Sequence, residues 1–111
     1  MKIVSLKDIA ASTTSHNKVG RKKQMIAPGE IPHLLQFAQA TINPGDIVEE
    51  HKHDGLYEIF FVESGSGDFR VNRKEYIVEK GMSITFKPHE LHEVENTGDE
   101  KLVLTYFSII I

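Results

Sequence analysis

Two histidines one residue apart, His51 and His53, are followed five positions later by Glu58 within the stretch 45–65, GDIVEEHKHDGLYEIFFVESG. On an extended strand, residues i and i+2 project to the same side, so both imidazoles can converge on one point. A second cluster opens at Gly81 and carries His92 and, four residues on, Asn96. Three imidazoles and one carboxylate suit one divalent transition metal ion per chain (Fe, Mn, Ni, Cu or Zn) and suit neither Ca nor Mg. His51, His53, Glu58 and His92 are therefore the expected metal ligands. Four such ligands on a six-coordinate ion leave about two positions for water, dioxygen or a chelating substrate. The chain contains no cysteine, which excludes disulfides, thiolate ligands and cysteine nucleophiles.

These residues need strands to hold them. From Leu34 onward, short apolar or alternating runs predict strands over 34–42, 47–53, 57–63, 68–71, 75–78, 82–86, 92–95 and 102–110. Turn residues separate them: Asn43, Pro44, Gly45 and Asp46; Ser64, Gly65, Ser66 and Gly67; Asn72 and Arg73; Lys80 and Gly81; Asn96, Thr97, Gly98 and Asp99. Helix signals are confined to a short turn within 5–11. Eight strands in one small domain predict an all-β jelly-roll barrel, a double-stranded β-helix over 34–111, preceded by an N-terminal arm over 1–33 with a loop at 12–17 and an edge strand at 22–26. Alternation puts Phe60 and Val62 on the face of Glu58, Val94 on that of His92, and turns Tyr57 outward. A polar mouth above an apolar floor suits a small ligand.

A chain of 111 residues, 40% hydrophobic and 26% charged, fits a single globular domain. No window approaches 18 apolar residues, and the opening MKIVSLKDIA lacks a secretory apolar core, so a cytoplasmic location and no membrane partner are expected. The net charge of −3 gives no general attraction to a phosphate backbone. The basic cluster of Lys18, Arg21, Lys22 and Lys23 lacks interleaved aromatics and reads as a solvated strand edge, so no nucleic acid partner is expected. The run Ser108, Ile109, Ile110, Ile111 is too apolar for water and implies burial, in a homodimer interface or as the last core strand. His16 and His33 read as surface residues, and Gly65, Gly67 and Gly81 as turn glycines rather than a phosphate loop.

With these motifs laid out, the chain closely resembles the cupin superfamily. Its first motif reads Gly45, His51, His53, Glu58 and Gly65 here without departure, and its second runs from Gly81 to His92 and Asn96. Lys87 stands where a proline is usual and His89 where a glycine is usual, with Pro88 keeping a rigid turn between them. The resemblance spans roughly Leu34 to Phe107 and implies that Gln36, Phe37, Gln39, Tyr106 and Phe107, on strands flanking the motifs, line the pocket or pack the core. It implies a small metal-binding cupin acting on a small organic molecule as a metal-dependent enzyme of dioxygenase or isomerase type. The alternative is a non-catalytic sugar- or metabolite-binding or sensing module, which the run EIFFVESGSGDFRVNRKEY resembles. Besides the ligands, His89 and Tyr106 are the candidate proton-transfer groups, with His89 also readable as an exposed loop residue.

Overall fold

The computed structural model describes residues 1–13 and 20–111. His16, Lys18 and most of the expected 12–17 loop thus lie outside the described residues. Ten strands follow a short 3-10 turn at Leu6–Asp8: β1 (Ser12–Thr13), β2 (Arg21–Ile26), β3 (Leu34–Ile42), β4 (Ile47–His51), β5 (Leu56–Ser64), β6 (Ser66–Val71), β7 (Lys74–Glu79), β8 (Ser83–Phe86), β9 (His92–Glu95) and β10 (Leu102–Ile110). They form two antiparallel sheets facing each other, one in the order β1-β2-β3-β10-β5-β8 and the other β4-β9-β6-β7. The fold is an all-β jelly roll. No helix among the described residues is long and apolar enough to cross a membrane.

Period-two alternation drives the packing. On β10, Leu102, Leu104, Tyr106 and Ser108 point inward and are buried, while Val103, Thr105 and Phe107 alternate to the other face. The closed end of the barrel is filled by Val62, Phe69 and Leu102, with Phe69 stacked on Phe86 at 6.2 Å. Toward the open end, β3 presents Ala38 and Ala40 inward. Their small side chains leave the hollow that larger residues fill elsewhere.

The turns are chemically specified. Asn72 and Arg73 both have positive φ, 49° and 67°, which matches a two-residue hairpin between β6 and β7. Gly65 has φ +78° and lies so close to the β9–β10 connection that an added Cβ would stand 2.4 Å from the Lys101 carbonyl oxygen. The fully buried Asn96 donates to the Ile42 and Glu100 carbonyls and accepts from the Gly98 N–H. The last residue of the second motif is thus a fastener of turns.

Three expectations change in detail. The strand expected over 47–53 stops at His51, because the β4–β9 register shifts between Val48 and His51, and His53 lies beyond the ladder. β2 is hydrogen-bonded to β3 along its length, and β1 covers its other side only at Arg21 and Lys22. The apolar C-terminal run divides: Ser108 is fully buried within the last strand, while Ile109, Ile110 and Ile111 are exposed.

Candidate metal centre

The ligand candidates come from both sheets. His51 ends β4 and pairs across the ladder with His92 at the start of β9. Glu58 projects inward from β5, where it is flanked by Phe86 on β8 and Ser108 on β10. His53 lies between β4 and β5, where its carbonyl accepts the His89 N–H at 2.8 Å. The premise that one straight strand carries both histidines does not hold, yet their rings still converge, with centroids 5.1 Å apart, and His51 and His92 lie at 4.3 Å.

One donor atom from each of His51, His53, Glu58 and His92 lies within 4.8 Å of the other three. Ligands about 2.1 Å from a common ion stand roughly 3 to 4.2 Å from one another. His53 Nε2 and His92 Nε2 lie 3.4 and 3.3 Å from Glu58 Oε1, inside that range, and the remaining spread closes with a shift of roughly half an ångström. Carbonyl oxygens fix the tautomers. His51 Nδ1 donates to the Glu49 oxygen at 2.7 Å and His92 Nδ1 to the Glu90 oxygen at 2.9 Å, so each neutral ring keeps its lone pair on Nε2.

For His92 the consequence is acute. Its Nε2 and Glu58 Oε1 are buried, face each other at 3.3 Å, and make no hydrogen bond. Two lone-pair-bearing atoms held together out of water are relieved by a cation between them. These residues fit a divalent metal ion. Phe86 clamps the His92 ring by stacking on it at 4.0 Å and 8°, and Ser108 Oγ lies 3.5 Å from the outer carboxylate oxygen of Glu58.

In the metal-free chain a proton on the imidazole side can bridge the same gap. Burial pushes the Glu58 carboxyl up, but hydrogen-bond contact with the His53 and His92 rings outweighs it and holds the group at about 2. His53 is raised above the usual imidazole value by its contact with Glu58, partly offset by burial. Tyr106 is raised well above the usual phenol range by burial and by the Glu58 charge, so its hydroxyl stays protonated.

A cavity of about 140 Å³ opens above these groups, walled by Leu35, Ala40, Ile42, Val48, Phe60, Val94 and Leu104, with Gln36 and Tyr106 as polar members. Phe60 and Val94 lie where alternation placed them. Of the five flanking residues expected to line the pocket or pack the core, Gln36 and Tyr106 reach the pocket. Phe37 instead borders a groove beside Lys2, Ile3 and Val4, and Gln39 donates to Glu63. Phe107 alternates to the face opposite the pocket.

His89 is exposed, with Nδ1 3.0 Å from Asp54 Oδ1, and its φ of +71° explains why glycine suits this position. Lys87 uses an N–H that proline lacks, donating to Glu90 Oε1 at 2.6 Å. Sequence reasoning missed Phe86 and Ser108, since cross-strand register is not readable from a single strand. It also set Lys22 on a solvated edge, whereas Lys22 is half-buried with Nζ 3.5 Å from Gln36 Oε1.

The family model for the cupin domain matches residues 38–110. An oxalate-binding protein of Thermotoga maritima is 35% identical over 83 residues, covering 66% of this chain and 69% of its own length. The crystal structure of a predicted oxalate decarboxylase from Thermotoga maritima superposes with a TM-score of 0.90 at 25% identity, covering 99% of this chain and 100% of that one. The polyketide cyclase RemF from Streptomyces resistomycificus shares the fold, with a TM-score of 0.84 at 18% identity over 99% of this chain and 79% of its own. Motif spacing, jelly-roll topology and the matched family model together place this chain in the cupin family.

Proposed function

We propose that this chain is a metal-dependent cupin that takes a small carboxylic acid, of the size of oxalate, at an ion held by His51, His53, Glu58 and His92. The observation that carries it is the buried, unbonded approach of His92 Nε2 to Glu58 Oε1 at the floor of an apolar pocket. The oxalate-binding and predicted oxalate decarboxylase names of the Thermotoga relatives support the ligand class. A bound ion would supply Lewis-acid polarisation of a carboxylate or carbonyl and, if Fe, Mn or Cu, redox chemistry with dioxygen. The chain's own residues orient the acid, exclude water with Val48, Phe60 and Val94, and keep the ligand carboxylate ionised.

Turnover of dioxygenase, isomerase or decarboxylase type is the first reading. Non-catalytic binding is the second, and one observation favours it: apart from the ligands, the pocket's titratable group is Tyr106, which stays protonated. Residues 34–111 form the barrel that carries the site in this reading, and 1–33 an arm along its edge.

Metal analysis of protein purified without added metal should give about one ion per chain, and His51→Ala should lose it while remaining folded. Protein free of metal in every preparation sinks the reading. With metal present, product release or oxygen uptake with oxalate and small keto acids separates the enzyme from the binding module.

We also propose a homodimer through the outer face of the six-stranded sheet. There Phe107 pairs with both Phe37 and Ile59, beside the exposed Tyr57, Phe61 and Ile109. Such an apolar patch on one flat face fits an isologous contact. Sedimentation should show a dimer that Phe61→Asp converts to monomer.

A further inference from the structure

The apolar pocket has one polar wall, and its two members are aimed and unspent. Tyr106 is only 7% exposed, stacks on Phe60 at 5.0 Å and lines the cavity. Its side chain borders the cavity, and its hydroxyl is not spent on a hydrogen bond to a described residue. The hydroxyl opens onto the cavity, where it can donate to a ligand. Gln36 is held differently. Its Oε1 accepts from Gln24 Nε2 at 2.9 Å and faces Lys22 Nζ at 3.5 Å. Lysine has donors only, so the atom it faces is the amide oxygen, and Gln36 Nε2 is left as a donor to the pocket.

Register fixes where these donors lie. Gln36, Ser108 and Glu58 form one row across β3, β10 and β5, and Ala38, Tyr106 and Phe60 form the next. Gln36 and Tyr106 are thus diagonal neighbours about 7–8 Å apart at the backbone, on the inner face beside Glu58. Fully buried Ala38 contributes only a methyl group beside them. Lys22 adds positive charge behind Gln36, and every other pocket wall is apolar or a candidate ligand.

We propose that Gln36 Nε2 and Tyr106 Oη form a specificity subsite that binds the distal carboxylate or carbonyl oxygens of a small organic acid whose other end reaches the metal centre, with Lys22 selecting the anion through Gln36. The inference rests on the metal reading given above. It predicts a preference for an acid carrying oxygen at both ends over one with a plain alkyl tail, because an alkyl tail leaves both donors buried and unpaired.

The test is calorimetric titration of the Zn(II)-loaded full chain with succinate and with butyrate, which share a four-carbon length. The parent should bind succinate about tenfold more tightly than butyrate. Tyr106→Phe and Gln36→Glu should each cut that preference to about threefold or less at unchanged zinc stoichiometry. Lys22→Met should weaken succinate and leave butyrate unaltered. Tyr106→Phe, which keeps the stack on Phe60, should melt no lower than the parent without ligand, so a lost preference would not trace to a damaged fold. A preference that is absent in the parent, or that survives in both variants, overturns the subsite while zinc uptake still supports the metal centre. A parent that takes up no zinc overturns the metal reading, and the subsite with it.

Discussion

Glu58 and His53 set opposing pH responses that depend on whether the site is loaded. In the metal-free chain, Glu58, held at about 2 against an ordinary 4.5, contributes stability that is present above the ordinary value and lost as pH falls through about 2. His53, raised above 6.5, contributes stability that is fully present below 6.5 and lost as pH rises through its folded value. Metal-free protein should therefore lose stability to urea as pH rises from about 6.5. A metal competes with the same proton, so affinity should rise over that interval, and metal-loaded protein should gain stability instead. Parallel urea curves with and without chelator check the crossing; equal slopes would mean that His53 and Glu58 do not share the ion. His89 makes a separate point. Its left-handed backbone costs about 1 kcal/mol or more, and the exposed contact with Asp54 returns little. His89→Gly should stabilise the chain by about 0.5 kcal/mol in denaturant titration and leave metal stoichiometry alone. The four ligand candidates were legible from spacing alone. Ser108 and Phe86 were not, because each meets the site only across a strand pair.

At the level of strands and turns, chemistry written in the sequence was readable wherever it was local. The segments beginning at Leu34 show themselves through alternation, and glycine, proline or asparagine marks their breaks. β4 ends two residues early because its register slips against β9, a tertiary event with no signature in EEHKH. The pairing of Lys22 with Ala40 is likewise set by a partner strand eighteen positions on, which is why its nearness to Gln36 went unseen. Two glycines separate backbone angle from crowding. Gly45 and Gly65 both have positive φ, but an added Cβ at Gly45 meets nothing within 4 Å, whereas at Gly65 it strikes backbone 2.4 Å away. Gly45→Ala should cost about 1 kcal/mol and Gly65→Ala at least about 3 kcal/mol by chemical denaturation. Equal costs would show that the β9–β10 connection yields freely.

The molecule is two sheets closed over a core at one end and left hollow at the other. That division separates what holds the barrel from what works in it: Phe69, Leu102 and Asn96 fasten the closed end, while the hollow end is lined by Ala40, the Tyr106 side chain and the facing His92 and Glu58 lone pairs. The whole-molecule class was readable, because two specific motifs on an alternating chain leave few other folds. The ligand was not, because cavity shape comes from many side chains with no common motif. His51 and His92 belong to the four-stranded sheet and Glu58 to the six-stranded one. An ion joining them is therefore a cross-link between the two sheets as well as a reactive centre. Stripping it with chelator should make the barrel breathe at one end only. Amide hydrogens of β4, β9 and the mouth half of β5 should exchange with deuterium faster by about tenfold or more, while those around Phe69 and Leu102 keep their rates.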